Sequence, residues 1–164
     1  MRLTPAIKGI ITTGIMIVIV LILYKNINTS NPALQYLVYI TYASGIIWTL
    51  LIHSKSSAFT GKFGDLFNQG FKCFVVVTLL MAIFYGVFNY QHPEFAEESA
   101  KAYKAQLEQQ VAKNERLPTA VDSEVATYKK QYTLKLVSGA IFGYLLIGTA
   151  VTVVISAFLT RRKQ

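Results

Sequence analysis

Charge is scarce in this sequence, and so are the residues that usually build a chemical centre. Of its 164 residues only 15% are Asp, Glu, Lys or Arg, and it has two histidines, one cysteine and one tryptophan. A single cysteine, Cys73, excludes an internal disulfide, and at the start of an apolar run it reads as a small buried residue. His53 and His92 are far apart in the chain, and neither belongs to a Cys/His cluster with metal-ligand spacing. No Gly-rich phosphate loop, G-x-S-x-G turn or paired carboxylate motif occurs. These absences set the expectation of a non-enzymatic protein with no catalytic residue, no cofactor and no metal.

The places where charge is missing altogether are more informative. No charged residue falls from Cys73 to Tyr90 or from Gly9 to Tyr24, and 53% of the chain is hydrophobic. An α-helix needs about 20 apolar residues to cross a bilayer core, so lipid is the expected solvent. Four spans follow, at about residues 5–24, 33–53, 71–90 and 134–159, within a single polytopic domain covering 1–164. Tyr24, Tyr36 and Tyr39 mark one membrane boundary and Trp48 approaches the other. The net charge of +8 does not signal nucleic acid, because the basic residues sit at the ends of spans and do not interleave with aromatics on one surface.

What is present between the spans completes the architecture. Phe59, Phe63, Phe67, Phe71 and Phe74 recur at helical spacing with Lys62, Asp65, Asn68 and Lys72 between them, which predicts an interfacial helix that turns into the third span. After Pro93 the composition turns polar. A proline followed by Glu94, Glu97 and Glu98 is a helix-start signal, and Ala96, Ala100, Tyr103, Leu107 and Val111 form one stripe. Asn114 to Pro118 breaks it, Thr119 is a cap, and Val121, Val125, Tyr128 and Tyr132 form a second stripe. The fold class is therefore an all-α membrane protein of four transmembrane helices, with a periplasmic helical hairpin at about 93–133 between the third and fourth.

Orientation follows from the flanking charges. With the N-terminus inside, the inner segments hold eight basic residues (Arg2, Lys8, Lys55, Lys62, Lys72, Arg161, Arg162, Lys163) and one acid, Asp65, against eight basics and seven acids outside. Lys25 is the sole basic residue of the short outer loop. The expected address is the bacterial inner membrane, multi-pass, with both termini cytoplasmic.

Gly61-Lys62-Phe63-Gly64, Phe67, Gly70-Phe71-Lys72, the exit Pro93-Glu94-Phe95, an amphipathic segment and a Gly- and Ser-rich last span ending Ala157-Phe158-Leu159 resemble an uncharacterised family of four-span membrane proteins, a domain of unknown function common in Bacteroidota. Over the first two spans the resemblance is one of hydropathy. It implies a fold and an inner-membrane address and brings no activity, cofactor or catalytic residue.

Small residues supply the polarity of the spans. Gly139 and Gly143 form a small-xxx-small pair, with Gly148 beyond, and are the expected helix-packing positions. The spans otherwise hold no interior Asp, Glu, Lys or Arg, which argues against proton-coupled transport. Tyr103, Leu107, Tyr128 and Tyr132 are the candidate partner contacts, the alternative being that they only join the hairpin's two helices. The functional expectation is an accessory or scaffold subunit of a larger envelope complex, in contact with membrane lipids and with a membrane protein partner or further copies of itself. The alternative is a lipid or small-molecule handler, transporter-like or a helper of a polyprenyl-phosphate glycosyltransferase.

Overall fold

The computed structural model describes residues 3–25, 35–112 and 121–161. Five helices account for most of them: α1 (Pro5–Lys25), α2 (Gln35–Ser54), α3 (Phe63–Gln91), α4 (Glu94–Ala112) and α5 (Val121–Arg161). No strand occurs among the described residues. Four helices are long and apolar enough to cross a membrane: Pro5–Lys25, Tyr36–Ser54, Phe63–Gln91 and Val121–Arg161. The expected break at Asn114 to Pro118, the Thr119 cap and most of the expected loop after Lys25 lie outside the described residues.

The chain divides into two compact units, Met1–Met81 with Ala140–Gln164, and Ala82–Gly139. Within the first unit, α1 shows how a helix is built for lipid. Thr4 caps its start by accepting the Ile7 N–H at 3.3 Å, and Pro5 takes the first helical position, where a missing N–H costs nothing. Its buried residues are Lys8, Gly9, Thr12, Thr13 and Met16. Ile7, Ile10, Ile11, Ile15, Val18 and Ile22 are exposed instead. Lipid tails solvate aliphatic side chains as well as a protein interior does, so the small face is the one that turns inward and lets backbones approach.

Four glycines mark where the helices of this unit touch. A Cβ on Gly9 would lie 2.9 Å from the Cys73 carbonyl oxygen, and one on Gly70 would lie 2.8 Å from Thr152 Oγ1. A Cβ on Gly45 would collide with Thr12, and one on Gly148 would meet Phe74 Cγ at 2.8 Å as well as the Tyr42 hydroxyl. Threonines thus enter glycine slots at two of the four contacts. Thr12, Thr13, Thr49 and Thr78 each donate their hydroxyl to the carbonyl four residues earlier, at 2.8–2.9 Å, so each is satisfied on its own helix.

The second unit pairs α4 with the first part of α5. Glu97 meets Lys129 and Lys104 meets Asp122, each at 2.8 Å, so partner numbers fall as α4 advances and the two helices run antiparallel. Tyr103 stacks on Tyr128 with ring centroids 4.4 Å apart, and Ala100 and Leu107 are buried. α4 begins directly after Pro93, whose carbonyl accepts the N–H groups of Ala96 and Glu97. The second stripe runs on without interruption, since α5 is one helix of 41 residues, about 60 Å at 1.5 Å per residue.

Two expectations need correction. The Phe-rich segment does not form a separate helix that turns into the span: α3 runs unbroken from Phe63 to Gln91, and Phe59 lies in the preceding turn with its ring 6.0 Å from His53. Gly61, at φ 78°, and the Asp65 carboxylate, which accepts the Thr60 N–H at 3.0 Å, fix the helix start four residues later than the phenylalanine spacing suggests. Phe63, Phe67 and Phe71 then stack along one face, with centroids 5.9 and 6.3 Å apart. Lys8 is the second correction. It is counted above among the inner flanking charges, but it lies one turn inside α1 and is 4% exposed.

Candidate functional site

Most buried polar groups of the first unit gather toward one end, where α1 and α3 begin and α2 and α5 finish. Gly9 against Cys73 and Gly70 against Thr152 set that register. Lys8 is the outstanding member. Its ammonium sits 5.6 Å from the centre of the Trp48 ring, a cation–π contact, and among the described residues no carboxylate pairs with it. α1 carries no acid in its first turn, so Lys8 adds a full positive charge to the positive end of a helix dipole. Close by in sequence and fold, Thr49 Oγ1 lies 3.4 Å from Cys73 Sγ, and both residues are fully buried.

At the same end, His53 Nε2 lies 3.1 Å from Asp65 Oδ1, while Asp65 Oδ2 accepts from the backbone and hydroxyl of Thr60. This carboxylate ties the end of α2 and the turn after it to the first turn of α3. Its oxygens are spent on those bonds, which suits a structural latch. Three hydroxyls behave differently from the self-bonded threonines. Ser56 Oγ, Thr152 Oγ1 and Ser156 Oγ are buried without a hydrogen-bond partner among the described residues. No group of three His, Cys, Asp or Glu side chains that could hold a metal converges among the described residues.

The expected site residues fall into two sets. Of the three packing glycines, only Gly148 is in a tight contact; a Cβ on Gly139 or Gly143 would meet nothing within 4 Å among the described residues. A small-xxx-small pair states that a close neighbour can be accommodated and does not state which helix supplies it. Of the expected partner contacts, Tyr103 and Tyr128 stack on each other, Tyr132 lies 6.4 Å from Tyr128, and Leu107 is 2% exposed. The Tyr103–Tyr128 stack joins α4 to α5, whereas Tyr132 lies on the same helix as Tyr128. His92 bonds Glu94 Oε1 through Nδ1 at 2.7 Å, across the α3–α4 corner.

The residue that sequence reasoning missed is Lys8. A signal was available: Lys8, Thr12 and Thr13, with Gly9, fall on one face of α1, and in a helix surrounded by lipid the polar face is the inward one.

The sequence pattern of a family described as Protein of unknown function (DUF4199) matches residues 8–161, and the chain belongs to that family. No curated protein and no solved structure matches the chain.

Proposed function

We propose that this chain, as a member of a family of unknown function with four candidate membrane spans, is a non-enzymatic accessory or scaffold subunit of a larger complex in the bacterial inner membrane. Both termini lie in the cytoplasm and the α4–α5 pair in the periplasm, an orientation supported by the charge asymmetry of the flanking segments. The observation that carries the assembly reading is the edge of α5. Gly139, Phe142, Gly143 and Leu146 share one face; Phe142 is 67% exposed, and neither glycine meets a neighbour in its own chain among the described residues. A glycine pair flanked by large apolar side chains accepts a closely packed helix from outside. The aromatic residues of α4 and α5 are already engaged with each other, which leaves this edge as the better docking surface.

Purification in mild detergent tests the reading. The wild-type chain should bring down a membrane protein, or a second copy of itself, in fixed stoichiometry. Gly143→Leu should lose that companion while keeping the wild-type melting temperature, because the added side chain enters space that is open within the chain. A Gly143→Leu protein that keeps its companion overturns the reading.

A further inference from the structure

A lysine that is 4% exposed in a membrane-crossing helix, with an aromatic face for company and no carboxylate beside it among the described residues, is the least explained group they contain. Burying an ammonium is costly unless an anion or a set of acceptors meets it. Among the described residues no hydroxyl, carbonyl or carboxylate accepts a hydrogen bond from its ammonium, although Thr12, one turn along, bonds the Lys8 carbonyl. The dipole of α1 opposes the charge and does not neutralise it.

We propose that Lys8, backed by the Trp48 ring, binds the phosphate oxyanion of an anionic membrane lipid. Three features select this ligand class. The site has a positive charge and a positive helix end, so the ligand is an anion. Lys8 is the fourth residue of α1, about 4.5 Å along its axis, so the charge stands near the end of the span, at headgroup depth. The surface beside it is greasy: Leu3, Ile7 and Ile11 are exposed, and Trp48 is an interfacial residue with an apolar body and a polar N–H. A phosphate with acyl chains satisfies both parts, whereas free inorganic phosphate satisfies only the first. The inference rests on Lys8 alone and is independent of the α5 docking edge.

Trp48 is the only tryptophan in the chain, which makes it a built-in reporter for its neighbour. The purified protein is placed in phosphatidylcholine vesicles containing equal small fractions of lipid brominated on the acyl chain, either phosphatidylglycerol or phosphatidylcholine. Quenching of Trp48 should favour brominated phosphatidylglycerol roughly fivefold, the factor one lysine contributes at an anionic surface. Lys8→Arg should keep the preference and Lys8→Gln should abolish it. Adding inorganic phosphate at constant ionic strength should leave the quenching unchanged. Equal quenching by the two lipids in the wild-type protein overturns the proposal without reference to any variant. Loss of the preference on adding phosphate overturns the lipid assignment, and a preference that survives in Lys8→Gln overturns the role of Lys8.

Discussion

Gly148→Ala adds one methyl group at the point where three helices of the first unit meet, and the structure fixes the sign of its effect. In an unpacked helix the change stabilises by about 1 kcal/mol, since alanine restricts the unfolded chain and glycine does not. Here the new Cβ would stand 2.8 and 2.9 Å from Phe74 Cγ and Cβ, and it would run into the Tyr42 hydroxyl. Overpacking of this kind costs about 1–3 kcal/mol. Tyr42 carries a second liability. Its hydroxyl donates to the Tyr144 carbonyl at 2.8 Å, reaching across the gap that Gly148 leaves one turn later. If the methyl displaces it, a buried phenol loses its partner at a further cost of about 1–3 kcal/mol. The net expectation is a loss of about 1–5 kcal/mol, or a melting temperature roughly 2–20 °C lower for a chain of this size. Thermal unfolding in dodecylmaltoside, followed by tryptophan fluorescence, measures it. Gly143→Ala is the control: its Cβ meets nothing within 4 Å among the described residues, so it should melt at or slightly above the wild-type temperature. If Gly148→Ala melts no lower than wild type, the three-helix contact is wrong.

Two further outcomes are expected. The hydrogen bond from Lys129 holds the Glu97 carboxyl below its ordinary value of 4.5, so its contribution is present above that pH and is lost as pH falls through the lower folded value. The protection of α4 amides, corrected for the pH dependence of intrinsic exchange, should therefore fall on acidification below about pH 4.5, and Lys129→Met should remove that change. For orientation, in a Cys73→Ser background, Gln109→Cys should react with a membrane-impermeant maleimide in intact spheroplasts and Ser57→Cys should not; the opposite labelling refutes the periplasmic assignment of α4.

The presence of four candidate spans was legible because hydropathy is a local property, whereas α3 and α5 run beyond the expected 71–90 and 134–159. Pro5, Pro93 and Asp65 act within a turn of themselves, and a run without charge needs no tertiary knowledge to recognise. The faces of the helices were harder. In water an amphipathic helix announces its buried side by its large apolar residues, but α1 exposes Ile10, Ile15 and Val18 and buries Gly9, Thr12 and Thr13. Reading it by aqueous rules inverts it. Glycine slots are also nonlocal: Gly70 and Gly148 receive neighbours while Gly139 and Gly143 do not, and nothing in their immediate sequence distinguishes them. Lys8 was misplaced for a related reason. Counting it as a flanking charge served the orientation argument, but helix start and burial are decided by the cap at Thr4 and by what α1 packs against.

The self-bonded threonines bear on how such a chain is made. A segment released sideways into lipid during synthesis has no neighbours yet, and any hydroxyl it exposes must already be satisfied. Thr12, Thr13, Thr49, Thr78 and Thr160 meet that condition on their own helices, through carbonyls one turn back. Their helices can therefore enter the bilayer one at a time, each chemically complete, and gather afterwards by shape. Thr152 and Ser156 have no such bond. They lie in α5, which leaves the ribosome after α1, α2 and α3, when those helices are already in place to enclose them.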